Sequence, residues 1–285
     1  MTGELAGRWL VMGHGSVGSV LVRRLHAVGV EPHVFDPEPR VAIQVGEHVG
    51  SLGSGMTPYD YVISCVSPAA SLEVPLQTAP VVDSGTILLD WNSVTPSVKQ
   101  EIASRSPASV VDVALLDTLD EDSQGPSLAT SGEAAGAATA VLVSLGFHVD
   151  VVGDTCGDAA RLKLARSLFM KTHEALVVEF EASIATLPGR DVVRASIERN
   201  TGETFGAFAR LLLRTDQLHA ARRFVELESA VQVYQEAGRP VHLAASAIDV
   251  LRAAADAWAR PDAPAPGSDL DDLAMFLGEH LHAHR

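Results

Sequence analysis

The sequence predicts an α/β protein: a doubly wound, mostly parallel sheet over residues 1–153, followed by an all-α domain over residues 154–285. Three observations carry that prediction. A strand, a glycine turn, a helix and a second strand follow one another between Arg8 and Asp36. Short apolar runs bounded by Gly, Pro, Ser or Asp then alternate with helical stretches, the pattern of strands joined by crossover helices. From Asp154 the strand signals stop, and alanine and leucine recur at three- and four-residue spacing.

Trp9-Leu10-Val11-Met12 is the first strand, and Val17, Val20, Leu21 and Leu25 give the next helix one buried face before Gly29 closes it. A second strand ends on Asp36. Further strands are expected at Asp60–Val66, Ile87–Trp91, Ser109–Leu115, Ser127–Thr130 and His148–Val152. In the helical half, Leu162, Ala165, Leu168, Phe169, Leu176 and Phe180 lie along one long helix that stops before Pro188-Gly189. Helices follow over Val192–Arg199, Phe205–Leu213, Ala221–Ala237 and Leu243–Ala259, the third of them closed by Gly238 and Pro240. Pro261–Gly267 cannot be regular helix and reads as a stiff tether to a last amphipathic helix carrying Leu270, Leu273, Phe276, Leu277 and Leu281. His280, His282 and His284 are spaced by two, which splays them around a helix as a solvated tail rather than a metal site.

At 285 residues, with 47% hydrophobic and 20% charged, the composition is that of an ordinary globular protein large enough for two cores. The net charge of -15 argues against a nucleic-acid or anionic-membrane partner, but not against a small acidic substrate. Cys65 and Cys156 make no disulfide framework and lack metal-ligand spacing, and Cys65 sits in an apolar strand as a packing thiol. The first residues carry no charged-then-apolar leader and no apolar run is long enough to cross a bilayer, so a cytoplasmic location is expected.

Gly13-His14-Gly15-Ser16-Val17-Gly18 follows a strand and opens a helix, which is where a chain can hold a dinucleotide pyrophosphate against bare backbone N–H groups. Gly13 permits the tight turn, Gly15 lets phosphate oxygens approach the main chain, and Gly18 lets the helix sit close on the strand. The helix N-terminus adds partial positive charge. Asp36 ends the second strand about 20 residues beyond the glycines, where a carboxylate accepts both ribose hydroxyls. The fold is therefore expected to be Rossmann-type. NAD is favoured over NADP, because a 2′-phosphate beside Asp36 meets a like charge; Arg40, able to pair such a phosphate, keeps NADP open.

Lys163, Ser167 and Lys171 form a slowly drifting stripe on the first long helix, since four residues overshoot one revolution by about 40°. A lysine partly desolvated near a nicotinamide can exchange a proton with a hydroxyl as hydride moves to or from the same carbon. Taken alone, these lysines, with Arg161 and Arg166, read more readily as solvated surface charge.

The chain resembles the beta-hydroxyacid dehydrogenase superfamily, which includes 3-hydroxyisobutyrate and 6-phosphogluconate dehydrogenases, and within it the branch with an uncharacterised carboxy-terminal helical domain. Four segments carry the resemblance: Gly13–Gly18 as the cofactor loop; Val66-Ser67-Pro68 as the loop over the adenosine and ribose; Asp90-Trp91-Asn92-Ser93-Val94-Thr95-Pro96 as the segment beside the nicotinamide; and Gly157–Lys163 as the start of the interdomain helix. It implies an NAD(P)-dependent oxidoreductase acting on a small polar hydroxy or keto substrate, with Lys163 as acid/base and Lys171 as a carboxylate or phosphate anchor, the two roles being exchangeable. Ser167 stands where the family has a substrate-orienting asparagine. Asn92 and Ser93 either bond the nicotinamide amide or substrate, or cap the helix after Pro96.

The family's Ser-Gly-Gly segment is replaced here by Ala114–Leu119 and the acidic Asp120-Glu121-Asp122, which reads as a solvated rim loop. His173 reads as a packed or capping residue, and Arg222–Glu228 as ordinary helix ion pairs or as charges closing a neighbouring subunit's cleft. Relatives commonly form dimers through these helices, so a homodimer is expected. Two other readings are open: an imine reductase, which shares the two-domain plan, and a non-catalytic NAD(P)-binding protein.

Overall fold

A computed structural model describes residues 5, 7–39, 42–53, 56–120, 124–186, 188–201, 204–238 and 241–281. The chain divides into two compact units, Met1–Lys163 and Leu164–Arg285, the division falling inside a long helix.

The first unit runs β1 (Trp9–Met12), α1 (Ser16–Ala27), β2 (His33–Phe35), β3 (Glu47–His48), β4 (Tyr61–Ser64), α2 (Glu73–Leu76), β5 (Ile87–Asp90), α3 (Pro96–Arg105), β6 (Ser109–Leu115), β7 (Ser127–Ser131), α4 (Ala135–Ser144) and β8 (His148–Gly153). Its strands form one sheet in the order β3-β2-β1-β4-β5-β6-β7-β8. All neighbours are parallel except β6 and β7, which meet antiparallel with Asp112 opposite Ser131. The expected mostly parallel, doubly wound sheet is thus present. The short edge strand β3 was not foreseen, because two exposed polar residues carry no hydrophobic alternation.

Alternation along β1 shows why the sheet is covered on both sides. Trp9 and Val11 pack with Leu21 and Leu25 of α1 and with Ile63 and Leu89. Leu10 and Met12 face the other way, against Val62, Leu88 and Ile102 of α3. Each fully buried leucine contributes about 1.5–3 kcal/mol of hydrophobic stabilisation.

Helix α5 (Asp158–Ile184) continues into the second unit, which adds α6 (Arg190–Thr201), α7 (Phe205–Glu236), α8 (His242–Trp258) and α9 (Leu270–His280). Two separate helices were expected where α7 runs unbroken. Residues 214–220 contain neither glycine nor proline, so nothing stops the backbone ladder there. Gly238 follows α7 with φ +68°, a conformation that suits glycine; Pro240 lies outside the described residues, as do His282, His284 and the side chain of Phe180. The core of this unit joins Val177 and Val178 of α5 to Leu212 and Leu213 of α7, Trp258 of α8 and Leu273 and Leu277 of α9. No helix among the described residues is long and apolar enough to cross a membrane.

Candidate functional site

The order β3-β2-β1-β4-β5-β6 places β1 beside β4, although β2 and β3 come between them in the chain. Connections therefore leave this point on opposite sides, which opens a crevice at the carboxyl ends of the strands. The loops after β1, β2, β4 and β5 all emerge at those ends, and they carry the cofactor-binding residues expected from the sequence.

After β1, Gly13 adopts φ +91°, and a Cβ there would stand 2.4 Å from the Cys65 carbonyl oxygen. A Cβ on Gly18 would lie 1.9 Å from the Gly13 carbonyl oxygen, so a side chain at either position would force backbone apart. Gly15 differs: nothing stands within 4 Å of its Cβ position, and the space above it is open. Helix α1 begins at Ser16 with Gly15 as its cap, without a capping side chain and without an acidic residue in its first turn. Its leading N–H groups therefore lack the usual protein acceptors and suit an anion. Ser16 is exposed, Val17 half-buried and His14 buried.

Asp36 follows β2 and is fixed by two backbone donors. The His14 N–H donates to Oδ2 at 2.6 Å and the Glu38 N–H to Oδ1 at 2.9 Å. Each oxygen keeps a further lone pair for a ribose hydroxyl. Open space at Gly15, an uncapped helix start and an oriented carboxylate fit a dinucleotide. Arg40, Glu121 and Asp122 lie outside the described residues.

Asn92 ties the ends of β4 and β5 together. Its Oδ1 accepts from the Val66 N–H at 2.8 Å, while Nδ2 donates to Ser64 Oγ at 2.9 Å and to Asp90 Oδ1 at 2.6 Å. Both amide hydrogens are thus engaged within the protein, so the side chain orients the loops. Ser67 and Pro68 follow on the exposed turn after Val66. Neither Asn92 nor Ser93 caps α3, whose cap position is Thr95. Ser93 instead accepts a hydrogen bond from Lys163 Nζ at 2.7 Å.

Beneath this pair lies a cluster that the sequence reading missed. Asp90 of β5 and Asp112 of β6 are register partners on adjacent parallel strands. Lys99 of α3 enters between them, with Nζ 3.0 Å from Asp90 Oδ2 and 3.2 Å from Asp112 Oδ1; the lysine is 1% exposed and both carboxylates 0%. Burial opposes the charge on Lys99, but Asp90 and Asp112 outweigh it and raise its pKa above the usual lysine value. Asp112 Oδ2 also accepts from the N–H groups of Gly157 and Ala160, at 3.1 and 2.8 Å, at the start of α5. A signal was present: an acid inside the apolar run of β6 requires a partner.

The remaining candidates lie in the second unit. Ser167 is half-buried and makes no side-chain hydrogen bond among the described residues. Lys171 stands 3.3 Å from Glu226 Oε2; burial lowers its pKa, with Glu226 opposing and Arg223 assisting. Arg222 pairs with Glu226 one turn on, and Arg223 pairs with buried Glu174 of α5. His173 packs on Phe169, with ring centroids 4.1 Å apart. In the first unit, Asp117 accepts from the Ser127 N–H at 2.8 Å and braces the β6–β7 turn. Burial pushes both thiols, Cys65 and Cys156, up to about 12, consistent with packing roles.

No protein-family model matches the chain. An uncharacterized 28.5 kDa protein from the 7S RNA 5′ region of Methanothermus fervidus is 27% identical over 169 residues, 59% of this chain and 65% of that relative. The match thus spans just under two thirds of the relative's length.

Among solved structures, a conserved hypothetical protein from Sinorhizobium meliloti superposes with TM-score 0.77 at 22% identity, covering 96% of each chain. A 3-hydroxyisobutyrate dehydrogenase from Salmonella typhimurium gives 0.70 at 18% identity, over 94% of this chain and 98% of that one. An imine reductase variant from Myxococcus stipitatus, in complex with NAD+, gives 0.56 at 21% identity, over 95% and 99%. The fold is therefore a Rossmann-type sheet followed by a helical region, shared with these solved structures. More narrowly, it is similar to the fold of 3-hydroxyisobutyrate dehydrogenase, as the resemblance in the sequence implied.

Proposed function

We propose that the protein is an NAD(P)-dependent oxidoreductase that moves hydride between a nicotinamide and the carbinol or carbonyl carbon of a small polar substrate, with Lys163 as acid/base. The observation that carries this reading is the 2.7 Å bond from Lys163 Nζ to Ser93 Oγ, at the carboxyl end of β5 in the same unit as the glycine turn. A bound nicotinamide would supply the hydride chemistry. In the reducing direction Lys163 gives a proton to the carbonyl oxygen as its carbon gains hydride, and in the oxidising direction it takes the hydroxyl proton back. Ser93 accepts from Lys163 and so retains its own hydroxyl hydrogen to orient a substrate oxygen. Gly15 and the start of α1 would hold the pyrophosphate and Asp36 the ribose, a carboxylate that favours NAD over NADP.

The test is fluorescence titration with NADH and NADPH, followed by a panel of small hydroxy and keto acids. Binding of NADH is expected, and Lys163→Ala should lower turnover 10²–10⁴-fold, roughly the contribution of a positioned acid/base, while NADH affinity changes less than about twofold. Full activity in that variant would end the assignment. The likeness to an imine reductase favours a second reading, reduction of a C=N bond. Cyclic imines belong in the same panel, and brisk reduction of imines alone would replace the first reading.

The reading includes a homodimer in the cytoplasm. Phe169, Leu176 and Leu243 in the second unit are 60%, 57% and 67% exposed in the single chain, large apolar side chains whose burial against a second copy would be favourable. Sedimentation at micromolar concentration should give a dimer, and Leu176→Asp should shift it to monomer; a wild-type monomer would contradict the proposal.

A further inference from the structure

Lys163 and Ser93 are each tied to the same buried ammonium by a short path. Ser93 stands three residues after Asp90, whose carboxylate and carbonyl oxygen both receive Lys99 Nζ, at 3.0 and 2.7 Å. Lys163 stands three residues after Ala160, whose N–H donates at 2.8 Å to the Asp112 carboxylate that also holds Lys99. The Ala159 N–H adds a 3.0 Å bond to Ser131 Oγ, which fixes the same helix start to β7. The loop bearing the serine and the helix bearing the lysine thus meet through one side chain, set in place by the register of β5 on β6.

Stability alone gives little reason for this arrangement. Removing three ions from water is costly, and well-packed apolar replacements commonly equal or exceed such clusters in stability. Adjacent carboxylates on strands about 4.8 Å apart repel unless a cation lies between them. With Lys99 in place the two strand ends and the first turn of α5 have one favourable spacing.

We infer that Lys99, with Asp90 and Asp112, is a positioning group that sets the distance between Lys163 and Ser93. This inference rests on the oxidoreductase reading for its purpose, but its geometry can be tested without cofactor or substrate. Lys99→Met combined with Asp112→Asn removes one charge of each sign, so the net charge near Lys163 is unchanged while the brace is lost.

The measurement is the rate of acetylation of Lys163 by acetic anhydride at fixed pH, read by peptide mass spectrometry on the full chain with Lys171 as internal reference. Ser93→Ala, which deletes the hydroxyl, sets the reference rate for loss of that one bond. Labelling roughly tenfold faster than wild type is expected there, the factor implied by losing one charge-assisted hydrogen bond. The double variant should approach that rate with Lys171 unchanged; a wild-type rate in a folded double variant would overturn the inference. Should the double variant fail to fold, Lys99→Gln with Asp112→Asn carries the test at the same net charge, since the two amides still hydrogen-bond within the cluster while the ammonium is lost. An acceleration of about threefold is expected from it, and none would be equally fatal. NADH titration of the wild type reads the parent proposal separately: no binding together with accelerated labelling would remove the oxidoreductase and leave the brace.

Discussion

Lys163 and Lys171 ride on one helix about two turns apart, yet the described partners of their amines differ, a serine hydroxyl for one and a carboxylate for the other. Lys163 donates to a neutral hydroxyl on the loop after β5, at a strand end held by the buried Lys99 brace. Lys171 is 15% exposed and pairs with Glu226, within a cluster that also holds Arg222, Arg223 and Glu174. An ammonium facing a hydroxyl can deliver a proton to a substrate oxygen. At Lys171 the Glu226 carboxylate only partly offsets the burial that lowers the lysine's pKa, and an incoming anion must compete with Glu226 before Lys171 can serve as an anchor.

The contrast predicts unequal losses. Against the 10²–10⁴-fold fall expected for Lys163→Ala, Lys171→Met should lower kcat by less than about tenfold, with any larger effect confined to KM. Steady-state kinetics on both variants with one accepted substrate measures the ratio. A kcat loss for Lys171→Met equal to that for Lys163→Ala would exchange the two roles and break the comparison at its centre.

Buried acids sharpen it next. Asp90 and Asp112 share an ammonium, whereas Asp216 of α7 is 0% exposed and bonded at 2.7 Å to the Trp258 indole N–H, with no ion-pair partner among the described residues. Burial pushes its pKa up to about 7, with Trp258 and Lys171 opposing. Because the folded value lies above the ordinary 3.8, the folded state binds this proton more tightly than the unfolded chain does. The associated stability is fully present below about pH 4 and is lost as pH rises through about 7. At about 1.4 kcal/mol per pH unit the span amounts to at most about 4 kcal/mol. Asp216→Asn keeps an acceptor for the indole and cannot ionise, so it should match wild type near pH 4 and exceed it by up to that amount at pH 8. Urea unfolding at the two pH values checks this, and an unchanged pH slope would refute it.

What the sequence made legible follows the reach of each interaction. The glycine turn is local: Gly13 and Gly18 are required by backbone atoms a few residues away or on the neighbouring strand end, so their spacing carries the geometry. Asp36 at the end of β2 was readable for the same reason. Asn92 was readable as a site residue but not as a tie between β4 and β5, because its partners Ser64 and Val66 are brought near only by strand pairing. The brace was illegible as a whole: Asp90, Lys99 and Asp112 meet through strand register and one face of α3, and no linear motif links them. In the helical unit, residues of α5 and α7 more than 40 positions apart in the chain find one another by packing, which left the partners of Lys171 and Glu174 unread.

The smallest effect separates two glycines of the same turn. Gly18→Ala sets a methyl against the Gly13 carbonyl oxygen and the Cys65 thiol, at 1.9 and 2.9 Å, and should cost about 1–3 kcal/mol of stability as an overpacked contact. Gly15→Ala meets nothing within 4 Å and lies at φ -86°, which alanine tolerates, so its melting temperature should stay within a few degrees of wild type. If that open space is where a pyrophosphate oxygen approaches the main chain, the added methyl should still weaken NADH binding by about tenfold, or about 1.4 kcal/mol. Calorimetric melting and NADH titration on the two variants separate a glycine kept for packing from one kept for a ligand. Wild-type NADH affinity in Gly15→Ala would move the phosphate site away from the turn, even with the fold intact.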